Sequence, residues 1–188
     1  MARWEPDSRG RLEQAALALY GERGFESTTV AEIAARAGVT ERTFFRHFAD
    51  KREVLFGGAG TLRDLLVQTV AGAPDSAAPI DAVAAALEAP GGMFEPRREM
   101  ARKRQSVIAA NPELQERELI KLASLAAAIA EALRGRGASD PAATLAAEAG
   151  IAVLRVAFEA WVHEDNTKGL TEIMRTSLAD LKAVTGGK

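Results

Sequence analysis

The sequence predicts an all-α protein, with an N-terminal three-helix helix-turn-helix domain over residues 1–55 and a larger helical domain over residues 56–188. Three observations carry this. Apolar residues recur at intervals of three and four, with no alternating strand pattern. Two short apolar stripes meet at a glycine near position 38. Further along, Asn111-Pro112 and Asp140-Pro141 each pair a good N-cap with a proline at the first helical position, which marks two helix starts.

The elements follow in order. Leu12, Ala15, Ala16 and Leu19 form the stripe of a first helix, ended by the Gly21–Gly24 region. Thr29 with Glu32 three residues later is a capping-box pattern, and Val30, Ile33, Ala34 and Ala37 continue it as a second helix of about two turns. Gly38 stands where a helix end needs positive φ, Val39 fills the corner, and Thr40 caps a third helix through Phe48. Asp50 with Glu53 repeats the capping pattern and opens a fourth helix carrying Val54, Leu55, Leu62, Leu65, Leu66 and Val70, interrupted by Gly57, Gly58 and Gly60. These glycines serve either as a bend or as a place for close packing. Residues 71–79 and 89–96, rich in Gly, Pro and Ala, read as loops around a short helix at 80–88. Leu122, Leu125, Ala126, Ile129 and Leu133 mark the helix after Pro112, and Leu170, Ile173, Met174, Leu178 and Leu181 mark the last.

The helix at 141–163 is apolar around most of its circumference. Leu145, Ala149, Ala152, Val153, Val156 and Ala160 occupy one side, Ile151, Leu154, Phe158 and Trp161 another, and Glu148, Arg155 and Glu159 a narrow polar strip. Such a helix needs cover on two sides. A second subunit meets that need, and a central position within a monomer is the alternative. The reading adopted is a homodimer through the helices at 141–163 and 169–185.

Composition narrows the function classes. Apolar residues make up 47% of the 188 and charged residues 27%, with no cysteine, so disulfides and thiolate metal sites are excluded. The first residues lack a signal-peptide core, and no apolar run reaches the roughly 18 residues of a membrane span, so a soluble, cytoplasmic chain without membrane association is expected. The formal net charge is −2. Residues 1–56 hold nine basic and nine acidic side chains, yet Arg36, Arg42, Arg46, Lys51 and Arg52 face only Glu41 and Asp50 between positions 36 and 52. Phosphate-binding glycine motifs, metal-ligand sets and nucleophile signatures are missing from the sequence, so no enzyme and no cofactor is expected.

Residues 29–55, TVAEIAARAGVTERTFFRHFADKREVL, have the parts of a DNA-reading motif: a support helix, a tight turn and a second helix with exposed side chains. Phe44 and Phe48 anchor the second helix inward and leave Glu41, Arg42 and Arg46 on other faces. An arginine fork matches guanine O6 and N7, and a threonine meets a thymine methyl, so Arg42 and Thr43 are the expected base readers. Lys51, beside the start of the fourth helix, is placed to hold a phosphate. The rival reading of Arg42 and Arg46 is an ordinary solvated face.

The segment from about Leu12 to Leu55 resembles the DNA-binding domain of the TetR family of regulators. It shares the Phe25 and Thr28-Thr29 entry, the AEIAARAGV core, the aromatic-x-His-Phe element at Phe45 to Phe48, and a lysine one residue past a helix cap. The resemblance implies a one-component regulator, usually a repressor, released from a pseudo-palindromic double-stranded DNA operator by a small-molecule ligand. It also implies phosphate contacts at Thr29, Phe45, His47 and Lys51, and base contacts within Thr40, Glu41, Arg42 and Thr43 plus Arg46. At Phe45 the family usually has Tyr, so packing is kept and one phosphate hydrogen bond is lost. Residues 56–188 are then the ligand-binding and dimerisation domain. Phe158 and Trp161 are candidate walls of its cavity, or core or dimer seam, and Met100 and Arg104, four apart, are candidates for the same cavity.

Overall fold

A computed structural model describes residues 7–186, and among these all regular structure is helical. They divide into two compact units, residues 7–58 with Met100–Glu118, and Ala59–Glu99 with residues 119–186. Residues 100–118, placed by the sequence reading in the second domain, therefore pack with the first.

The first unit is built on Ser8–Arg23 (α1), Val30–Arg36 (α2) and Glu41–His47 (α3). Thr29 forms the predicted capping box, accepting from the Glu32 amide while Glu32 accepts from the Thr29 amide. Gly38, at φ 67°, makes the α2–α3 turn in a backbone region a side chain would strain. Leu12, Ala16, Phe25, Ile33 and Phe44 are buried together, each apolar ring or branch contributing about 1.5–3 kcal/mol when fully removed from water.

The expected fourth helix does not run on from Asp50. Asp50 caps a single 3₁₀ turn, Glu53–Phe56, by accepting from the Arg52 and Glu53 amides, and an α-helix begins only at Ala59–Ala71 (α4). Glycines at 57, 58 and 60 lower helix propensity there. Gly57 also meets a packing demand, because a Cβ at that position would lie 2.9 Å from an Arg9 nitrogen and 3.1 Å from the Phe48 ring, whereas Gly58 and Gly60 face open space.

The second unit contains α4, Pro79–Glu88 (α5), Gly91–Phe94 (α6) and a 3₁₀ turn at Glu95–Arg97, so the expected loop at 89–96 is largely helical turns. Then come Arg98–Ala109 (α7) and Pro112–Gly135 (α8), each with residues in both units, followed by Asp140–Val162 (α9) and Leu170–Thr185 (α10). Within it, α9 packs against α5 and α10. Both proline-marked helix starts are present, with altered roles for the preceding residues. Ser139 is the cap of α9, and Asp140 is its first helical residue, paired with Arg134. Asn111 donates its amide back to the Val107 carbonyl at the end of α7.

Helix α9 buries Ala143, Ala147, Ile151, Leu154, Ala157 and Trp161. Val153, grouped by spacing with Leu145 and Val156, is buried as well. Leu145 and Val156 stay 70% and 53% exposed, and Ala152 and Ala160 beside them are exposed too.

Candidate nucleic-acid interface

Helix α3 is held from one side. Phe44 is fully buried and Phe48 nearly so, their ring centroids 5.6 Å apart. At about 100° per residue, Arg42 and Arg46 project from the side opposite Phe44, with Phe45 at its margin and Glu41 about 60° from Phe44. All four are exposed. Phe45 is 55% exposed and stands edge-on to Phe44 at 5.4 Å, so an apolar ring sits among the charges.

The threonines are engaged locally. Thr40 caps α3 by accepting from the Thr43 amide at 3.2 Å, and the two hydroxyls lie 3.1 Å apart. The Thr29 hydroxyl donates to Glu32, whose carboxyl is held below its ordinary range chiefly by the Thr29 hydrogen bonds. His47 shares a 2.8 Å hydrogen bond with the Ser8 hydroxyl. Partial burial, then the nearby Arg46 and Arg9 charges, push its pKa below 6.5, which favours neutral imidazole at pH 7.

Lys51 departs most from expectation. Its ammonium points into the unit, donating to the carbonyls of Phe25, Glu26 and Thr28 at 2.9–3.1 Å and lying 4.4 Å from the Phe25 ring centroid. The Arg52 and Glu53 amides beside it donate to the Asp50 carboxylate.

The basic stretch from 36 to 52 thus sorts itself. Arg36 is bound by both oxygens of Glu22 at 2.6 Å, Arg52 pairs with Asp50, and Lys51 is turned inward. Arg42 and Arg46 form no ion pair among the described residues. An open hollow of about 300 Å³ lies nearby, but its Arg9 is taken by Glu13 and the Gly57 carbonyl, and its Arg117 by Glu53.

Two family models match the chain: "Bacterial regulatory proteins, tetR family" over residues 13–56, and "MftR C-terminal domain" over residues 77–186, more than half its length. The chain belongs to the TetR family. Among its relatives, the transcriptional regulator TcmR of Streptomyces glaucescens is 35% identical over 82 residues, 44% of this chain and 36% of TcmR, so that match spans about a third of the relative. The putative mycofactocin biosynthesis transcriptional regulator MftR of Mycobacterium tuberculosis is 28% identical over 165 residues, covering 87% of this chain and 83% of MftR. Of solved structures, Bacillus subtilis FadR in complex with stearoyl-CoA shares the fold at TM-score 0.64 and 17% identity, covering 95% of this chain and 99% of that one. TetR-family regulators bind DNA operators, dimerise and bind small molecules. Among the described residues no helix is long and apolar enough to cross a membrane.

For this TetR-family chain, the four residues expected around a ligand are divided between the two units. Met100 and Arg104 belong to the first unit: Met100 packs on its core, and Arg104 donates to the Leu55 carbonyl at 2.6 Å, pairs with Glu118 and lies over Phe56. Burial lowers the Arg104 pKa against the opposing pull of Glu118. Phe158 and Trp161 lie in the second unit with Phe94, ring centroids 5.6–6.4 Å apart. Trp161 is fully buried, and its indole N–H finds no acceptor among the described residues. A cavity bordered by Leu87, Met174 and Leu178 has a volume of about 10 Å³, room for one water at most.

Two contributions had no local signal in the sequence. Arg98 closes the end of α9 by donating to the carbonyls of Trp161, His163 and Asn166. Tyr20 donates to the Lys51 carbonyl at 2.6 Å. Both link residues more than thirty positions apart, beyond any helical periodicity.

Proposed function

We propose that a homodimer of this chain represses transcription from a pseudo-palindromic operator and is released by a small molecule bound in the second unit. The observation that carries the proposal is the pair Arg42 and Arg46, exposed and without an ion-pair partner among the described residues on the outer face of a helix-turn-helix. Arg42 reads a base through its fork, with Arg46, Thr43, Thr40 and Glu41 on adjoining base edges. Thr29, His47 and the ring of Phe45 approach the phosphate-sugar backbone. Two recognition helices about 34–36 Å apart enter successive major grooves.

Dimerisation is supported by the uncovered apolar side of α9, Leu145, Ala152, Val156 and Ala160, together with Val184 of α10, which is 80% exposed. Ligand binding is supported by the aromatic group of Phe94, Phe158 and Trp161, whose buried indole N–H lacks an acceptor among the described residues. A ligand there acts by favouring a conformer with the wrong helix separation.

The test is binding of the full chain to genomic DNA fragments as salt is varied. Phosphate contacts make log affinity fall linearly with log salt, and absence of such binding at low salt defeats the proposal.

A further inference from the structure

We infer that Lys51 is a positioning residue, tying the turn at residues 25–28 to the segment that follows the recognition helix, rather than a phosphate ligand. The inference rests on the DNA-reading function proposed above, since positioning has meaning there only if α3 reads DNA.

An ammonium has three donors and no acceptor. Lys51 Nζ lies 2.9 Å from the Phe25 carbonyl, 3.1 Å from that of Glu26 and 3.1 Å from that of Thr28, so its capacity is filled. The Phe25 ring beneath it adds a cation–π contact. Its own carbonyl accepts from the Tyr20 hydroxyl at 2.6 Å, and the Tyr20 ring stands edge-on to Phe25 at 5.2 Å. Burial, then the Asp50 charge, raise the Tyr20 pKa and keep that hydroxyl a donor.

One residue thus joins three pieces of backbone: α1 through Tyr20, the turn before α2 through three carbonyls, and the segment after α3 through its own chain. The carbonyls of residues 25, 26 and 28 precede α2 and lie outside any helix; that of Phe25 also accepts from the Thr28 amide at 3.2 Å, but without the ammonium those of Glu26 and Thr28 need water or a new partner. To reach a phosphate, Lys51 must break all three bonds and leave the ring. Arg42 and Arg46 have no such partners to give up among the described residues.

The experiment uses the full chain and an operator selected from random duplexes. Lys51→Met removes the donors and keeps most of the stem; Lys51→Arg keeps the charge but replaces a compact donor with a planar fork that does not fit three converging carbonyls. Arg46→Met is the reference for a lost DNA contact. The inference expects Lys51→Met to melt at lower temperature without DNA and to exchange amide hydrogens faster at 25–29. It expects both Lys51 variants to lose about tenfold or more in operator affinity, with the slope of log affinity against log salt unchanged. A phosphate ligand would instead give unchanged melting, a slope reduced by about 0.9 in Lys51→Met, and binding restored by Lys51→Arg. That result overturns the inference. If Lys51→Met does not fold, Lys51→Arg decides by the same measurements. If the unaltered chain shows no salt-dependent DNA binding, the regulator reading fails separately, while melting and exchange still report whether the tie exists.

Discussion

Helices α3 and α9 each leave one side without a partner among the described residues, and they do so with opposite chemistry. On α3 the uncovered groups are Arg42 and Arg46, which water solvates well and a polyanion attracts. On α9 they are Leu145 and Val156, whose exposure costs about 25 cal/mol for each Å² of apolar surface left in water. Charge left free is stable in a lone chain and waits for DNA; apolar surface left free is relieved only against another apolar surface. Under the proposed function, the difference suits one helix to a nucleic-acid partner and the other to a second copy of the chain.

The comparison is most severely tested on α9. Leu145→Arg with Val156→Arg should give a monomer in sedimentation and lower operator affinity by on the order of 10²-fold or more, because a half-site alone recovers little of the specific affinity. An unchanged dimer would remove α9 from the interface. On α3, Arg42→Ala should cost roughly 1–3 kcal/mol of binding and relax selectivity at one base position, measured by selection from random duplexes. Equal discrimination in variant and parent would place the arginine on the backbone instead. A smaller effect is expected at the cap of α2, where Thr29→Ala should lower thermal stability by about 1 kcal/mol and leave the α9 dimer intact.

The smallest effect concerns pH. The folded His47 pKa lies below its ordinary 6.5, so the unfolded chain takes up the proton more readily. The contribution of His47 is fully present above pH 6.5 and declines as pH falls below it, toward the lowered folded pKa. Chemical denaturation across that range should show this slope reduced in His47→Gln.

Local chemistry was legible in the sequence wherever it acts over one or two turns. The Thr29 box, the glycine turn at 38, the inward pair Phe44 and Phe48, and the two-sided character of α9 all follow from spacing. The same rules missed what depends on distant carbonyls. Lys51 carries the charge of a phosphate ligand, and only the fold shows three backbone oxygens around it. Arg98 and Arg104 stood in one basic run, yet one closes α9 and the other holds the Leu55 carbonyl. The fourth helix was overextended because a capping pattern does not tell a 3₁₀ turn from an α-helix, and the glycines after it decided the matter.

The most direct test of two-handed DNA reading is operator affinity before and after inserting about half a helical turn, ~5 base pairs, between the half-sites. The insertion turns one half-site to the opposite face of the duplex. A dimer reading through α3 should lose on the order of 10²-fold or more in affinity. Equal affinity for both operators would contradict the account.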